Sequence, residues 1–189
     1  MTRARSYDNS ARRVAAQLTR TRILAAAASL LVADGYLGMS IAGLARAAGV
    51  SPQTVYNAVG GKAEVLKATY DVALAGDADD VPMSQRPEFL ALHDSPDAAS
   101  HARLYAALAR HIAERVGPLL ATVLDHAGAD PALADFVATI ERERRTGNGH
   151  MVAALAQRHG LPDGVGIEEV VDQVWVLTAP DLADRLIRR

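Results

Sequence analysis

Gln53, Thr54, Tyr56 and Asn57 are four polar side chains set just behind a Ser51-Pro52 pair, with Val55 and Ala58 as their apolar neighbours. A glutamine amide can pair bidentately with an adenine edge, and threonine offers both a hydroxyl and a methyl, so these types suit the reading of bases in a major groove. Tyr56 and, further on, Lys62 suit phosphate oxygens. Ser40 and Ser51 each read as a helix N-cap, and the free N–H groups that follow such a cap are natural phosphate anchors. Taken singly each residue has an ordinary reading: a solvated face for Gln53 and Thr54, half-buried packing for Tyr56, a surface charge for Lys62. Their joint pattern points to duplex DNA.

Other chemistries find little support. The chain lacks a G-x-S-x-G nucleophile elbow, a phosphate-binding loop and an H-E-x-x-H zinc motif, and no acid pair has a reason to be apposed. With no cysteine there is no disulfide scaffold, thiolate zinc site or thiol nucleophile, which is compatible with a reducing cytoplasm. The six histidines contain no i, i+4 pair, so a metal site is not expected. Neither a catalytic residue nor a cofactor is anticipated.

The formal net charge of −2 conceals an asymmetry. Residues 1–67 carry a net +6 and the remainder a net −8, the distribution expected when one end meets phosphate and the other does not. Arg3, Arg5, Arg12, Arg13, Arg20 and Arg22 precede the apolar run 23–33, which superficially copies a secretory signal. Ile23, Ala26, Ala27, Leu30 and Leu31 fall at the spacing of an amphipathic helix instead, and the run is too short to span a membrane.

The elements needed to hold the polar window follow from the punctuation. Half of the residues are hydrophobic, only 4% are aromatic, and leucine, alanine, valine and isoleucine recur at helical spacing, which predicts an all-α fold. After a flexible basic arm at 1–9, a helix is expected over 10–33, ending at Asp34-Gly35. Short helices from Ser40 to Gly49 and from Ser51-Pro52 to residue 58 or 59 follow, then a fourth from Lys62 to Ala75. Ala45, Ala48 and Val50 are small or apolar where two helices must cross closely, and Gly49 can take the turn between them. The stretch 76–97 reads as a loop with one short helix near 88–93. Further helical patterns cover 98–115, 117–127, 131–159 and 166–188, and Gly147-Asn148-Gly149 either kinks or splits the third. The expected domains are 1–75, a three-helix helix-turn-helix unit leading into its fourth helix, and 76–189, a helical ligand-binding and dimerisation unit.

The run RILAAAASLLVADGYLGMSIAGLARAAGVSPQTVYNAVGGKAEVLKATYD resembles the N-terminal domain of TetR-family (tetracycline-repressor-like) regulators. It has the R-I-L-x-A-A-type helix, the Gly-aromatic turn, the Ser that starts a second helix, A-x-x-A-G-V-S, the T-V-Y recognition core and the K-x-x-L start of helix four. The resemblance covers residues 22–71 and implies DNA contacts at Ser40, Gln53, Thr54, Tyr56, Asn57 and Lys62, with Arg46 and the arm residues Arg3 and Arg5 as further candidates beside Ser51. After Tyr56 the chain departs from the family's Y-x-H/Y-F-x-x-K segment, carrying Asn57, Ala58, Val59 and Gly60. The resemblance also implies a cytoplasmic, ligand-released repressor that binds a palindromic operator as a homodimer, with an unidentified small-molecule effector and no membrane partner.

A lone helix-turn-helix reads few base pairs, so a second copy is expected on mechanical grounds. The expected dimer surface is Leu133, Val137, Ile140, Val152 and Leu155 on one long helix and Val170, Val174, Leu177 and Leu182 on the next, with Phe136, Val171 and Leu186 in the same stripes. An effector pocket is expected from Leu90, His93, Tyr105, Leu108, His111, Ile112, His126, Phe136 and Trp175, mostly apolar with a few polar handles. The rival readings are a helical small-molecule-binding protein or enzyme without DNA readout, and a helical interaction adaptor. Flat, salt-independent binding to random duplex would favour these over a DNA reader.

Overall fold

A computed structural model of the chain describes residues 3–79, 81–124 and 126–182, with side chains from Ser10 onward. Among the described residues every regular element is helical: α1 (Arg3–Gly38), α2 (Ile41–Ala47), α3 (Pro52–Ala58), α4 (Lys62–Ala75), a short 3-10 turn (Met83–Gln85), α5 (Pro87–His93), α6 (Ala98–Leu124), α7 (Pro131–His159) and α8 (Ile167–Leu177). None of these helices is long and apolar enough to cross a membrane.

Four differences from the sequence reading have physical causes. First, α1 begins at Arg3, inside the stretch expected to be a flexible arm, because no glycine or proline interrupts the chain before Gly35. At Gly35 (φ 69°, ψ 174°) the backbone leaves helical geometry, so the expected stop is there, but a further turn runs to Gly38 before the chain reaches Ser40. Second, α6 continues through Gly117-Pro118, where a break was expected. The proline forfeits one ladder hydrogen bond, and Val116, Leu119, Leu120 and Val123, all buried around it, hold the helix in place. Third, α7 passes through Gly147-Asn148-Gly149 as one helix, with Asn148 buried. Fourth, α8 stops at Leu177, and helical backbone resumes at Pro180, whose ring suits the first turn of a new helix better than the interior of an old one.

The core is one body. Ile23, Ala27 and Leu31 of α1 pack with Leu44 and Ala45 of α2, Val55 of α3 and Val65 and Leu66 of α4, and the same cluster runs on through Leu119, Leu120 and Val123 of α6 to Leu133, Phe136 and Ile140 of α7. The edge of the Tyr70 ring meets Phe136 at 5.5 Å between centroids, joining α4 to α7. A smaller cluster of Leu92, Leu108 and Met151 ties α5, α6 and α7 together. Polar clamps fix α4 from outside: Lys67 bridges its own Asp71 and Glu143 of α7 at 2.6 and 3.1 Å, and Arg115 of α6 donates to the Ala73 and Leu74 carbonyls at 2.9 and 2.8 Å.

This packing corrects part of the expected dimer surface. Leu133, Ile140 and Val152 are buried within this chain's own core, where no second copy can reach them. Val137 and Leu155 are half-buried, as are Val170, Val174 and Leu182, while Leu177 is 67% exposed. Leu186 lies outside the described residues.

Candidate nucleic-acid interface and ligand cavity

Ser40 caps α2 by accepting from the Gly43 N–H at 3.1 Å, and Ser51 caps α3 by accepting from the Thr54 N–H at 3.1 Å. Between them the chain turns through a Schellman motif: Gly49, at φ 64°, donates to the Arg46 carbonyl, and Val50 donates to the Ala45 carbonyl at 2.9 Å. The pair of bonds sets the crossing of α2 and α3, and Val55, fully buried, keys α3 into the core. What remains of α3 faces solvent.

On that outer face Gln53, Tyr56 and Asn57 are exposed, Tyr56 to 52%, and Thr54 is half-buried. Gln53 Nε2 donates to Asn57 Oδ1 at 2.9 Å, one helical turn away, which fixes both amides while leaving Gln53 Oε1 and the Asn57 amide hydrogens outward-capable. Ser51 and Thr54 share a hydroxyl–hydroxyl bond of 2.8 Å. Ser40, Ser51 and Arg46 are exposed beside this face. Lys62, expected to meet phosphate, has its ammonium 4.3 Å from the centre of the Tyr36 ring and donates to the Leu37 carbonyl at 3.4 Å, tying the start of α4 to the turn after α1. The side chains of Arg3 and Arg5 lie outside the described residues.

Where the chain departs from the family pattern after Tyr56, the fold makes a contact that the sequence did not reveal. Arg20 of α1 donates through Nη1 to the Ala58 carbonyl at 2.7 Å, so a guanidinium sits at the C-terminal end of α3. A cation there satisfies an orphan carbonyl and complements the helix dipole. Arg20→Met is expected to weaken duplex binding severalfold while the protein stays folded, since a helix-terminal charge is worth about 0.3–1 kcal/mol. Unchanged affinity in a fluorescence-anisotropy titration would show that Arg20 does not position α3.

Residues 23–69 match the profile of the bacterial regulatory proteins of the tetR family. That segment is a TetR-family DNA-binding domain. The match covers the helix-turn-helix, α1 from Ile23 through most of α4, and stops before the helices that follow. Comparison with curated proteins and with solved structures finds no match.

The rest of the chain forms a cavity of about 890 Å³, open to solvent on one side, between α4, α5, α6, α7 and the chain after α8. Of the residues expected to line a pocket, Leu90, His93, Tyr105, Leu108 and Ile112 do so. The other four are elsewhere: His111 and His126 are exposed outside the lining, Phe136 packs against Tyr70 in the core, and Trp175 lies against Arg144 and Arg145 at the α7–α8 joint, 5.2 and 5.9 Å from their guanidinium carbons. Sequence reasoning missed Tyr70, Leu74, His101, Arg144, Asn148, Met151 and Thr178, which also line it. His101 was within reach, because it continues the Tyr105, Leu108 and Ile112 stripe one turn earlier. Asn148 was not, since its flanking glycines masked a helical position.

Burial pushes the Tyr105 phenol up to about 12, so it is a neutral donor, and its hydroxyl donates to Asn148 Oδ1. Asn148 Nδ2 donates to Thr178 Oγ1 at 3.1 Å, and Thr178 donates to the Val174 carbonyl at 2.9 Å. Burial, and next the His159 ring, hold His101 below the ordinary histidine value, against the opposing Leu92 and Met151 backbone. Ser95 Oγ stands between His101 Nδ1 at 3.2 Å and His159 Nε2 at 3.3 Å. No cluster of three or more potential metal ligands occurs among the described residues.

Proposed function

We propose that this regulator is a ligand-released repressor that binds a two-fold-symmetric operator as a homodimer in the cytoplasm. The observation that carries the reading is the double membership of α4. Val65 and Leu66 belong to the core beneath the helix-turn-helix, while Tyr70 and Leu74, on the next turns, line the cavity. A ligand that displaces Tyr70 or Leu74 therefore acts on the rigid element that carries the reading head, and so biases the equilibrium between two head positions. A single α3 offers too few side chains for a selective site, and a second copy doubles the contact and fixes the half-site spacing. Exposed Ile167, Val176 and Leu177 on α8, with half-buried Val137 and Leu155 on α7, supply apolar surface for that second copy.

The test is an anisotropy titration of the purified protein on DNA from immediately upstream of its own gene, repeated at several salt concentrations. The expected result is tight binding to an inverted repeat, with affinity falling about tenfold or more between low and physiological salt, as counterion release requires. Flat, salt-independent binding to any duplex would reject it, as would a monomer in light scattering at micromolar concentration.

A further inference from the structure

We infer that the cavity is built for an uncharged, elongated lipophile carrying one hydroxyl group near one end. The inference rests on the effector reading above and names the chemistry of the occupant. Three observations lead to it: the cavity's shape, the state of its charges, and the hydrogen-bonding capacity left at His101, Tyr105 and Asn148.

The lining follows α6 from His101 to Leu124, about 35 Å of helix at 1.5 Å per residue. Leu74, Phe89, Leu108, Ile112, Leu120 and Met151 make most of the wall apolar. An extended chain or fused-ring body fills such a space better than a compact polar molecule.

The charges at the wall are already balanced. Glu143 pairs with Lys67, Glu114 with Arg110 at 2.8 Å, and Arg144 with Glu141 at 2.6 Å, while His93, His150 and Asp181 are exposed to solvent. Among the described residues no uncompensated buried charge lines the cavity to neutralise an ionic ligand, and burying an unpaired ion is costly.

Polar capacity is concentrated instead at one end, where His101 and Tyr105 stand one turn apart on α6. His101 is 3% exposed; its Nε2 makes no hydrogen bond of proper geometry, although the Leu92 and Met151 backbone lies against the ring, and Nε of Arg144 in the same lining is likewise unpaired. Beside His101 the Tyr105 oxygen, having donated to Asn148, retains a lone pair, and Asn148 retains an amide hydrogen after its bond to Thr178. A neutral imidazole presents either a donor or an acceptor according to its tautomer, and a hydroxyl matches both. It can accept from His101 or Asn148 and donate to Tyr105, or donate to His101 and accept from Asn148. A carboxylate lacks the donor, and an ammonium lacks the acceptor.

The full-length chain is titrated in the absence of DNA with 1-dodecanol, dodecyl methyl ether, dodecanoate and dodecylamine at neutral pH, by displacement of Nile red. The alcohol is expected to bind at least about tenfold more tightly than either ion. It is expected to exceed the ether by about fivefold, the worth of one donated hydrogen bond. His101→Phe and Tyr105→Phe, which preserve ring volume, are expected to erase the preference for alcohol over ether and leave ether binding intact. Thermal melts confirm that each variant is folded, and Tyr105→Phe carries the comparison if His101→Phe does not fold. The inference is overturned if either ion binds as tightly as the alcohol, if none of the four displaces the dye, or if the folded variants keep the wild-type preference. Because no DNA is present, alcohol binding that leaves an operator complex intact would reject ligand release while leaving this assignment standing.

Discussion

Gln53→Ala is expected to reduce operator affinity by one to two orders of magnitude without lowering thermal stability. A bidentate amide–base contact is worth about 1–3 kcal/mol of discrimination, and the exposed Gln53 side chain holds nothing in the core. Its bond to Asn57 makes the effect cooperative, since removing either amide frees the other to rotate. The double variant Gln53→Ala/Asn57→Ala should therefore lose less than the two single losses combined. Salt dependence separates this role from a phosphate contact. Gln53→Ala leaves the slope of log affinity against log salt unchanged, whereas Arg46→Ala lowers the slope by about one and weakens all duplexes alike. Operator affinity unaltered in Gln53→Ala would remove base reading from this residue, and a changed slope would reassign it to the backbone.

A second large effect is expected in the core. Leu66 is fully buried in the cluster that α1, α2, α3, α4, α6 and α7 share, and Leu66→Ala is expected to cost about 2–5 kcal/mol through lost transfer energy and the void left behind. Because the cluster is continuous from the helix-turn-helix to α7, that loss should lower one common unfolding transition. Circular dichroism, which sees every helix, and the fluorescence of Trp175, the single tryptophan, should give coincident midpoints in wild type and variant. Two separated transitions, with the Trp175 signal unmoved by the substitution, would mean that the N-terminal helices and the cavity region fold independently. The same continuity bears on the proposed ligand release: a shift of α4 at Tyr70 or Leu74 would disturb Val65 and Leu66 and so be passed on to α3.

How the reading head and the cavity are governed explains why one was legible in the sequence and the other was not. Ser40, Gly49, Ser51-Pro52 and the buried Val55 act within a few residues of themselves: a hydroxyl caps the N–H groups next to it, a glycine accepts positive φ, a proline starts a helix. Local rules of this kind survive in one dimension, and the observed α2 and α3 lie where those residues put them. The outward set Gln53, Tyr56 and Asn57 follows from the same periodicity. Where a residue's partner lies far along the chain, the sequence carried no such signal. Arg20 looked like one more basic residue in an arginine-rich start until the fold brought the Ala58 carbonyl to it, and nothing in the sequence signalled the contacts of Lys62 with Tyr36 and Leu37. The apolar stripes of α7 showed that some surface had to be buried but could not say against what, and the fold chose this chain's own α4 and α6 for Leu133 and Ile140. Asn148 changed most: expected at a kink or a split between glycines, it is a buried rung of a continuous helix, bonded to Tyr105 and Thr178 from two other segments. Sequence alone determined a TetR-like helix-turn-helix and the outward face of α3, because those depend on neighbours; the cavity, its lining and the exposed apolar surface were decided only in three dimensions, because they depend on which distant helices meet.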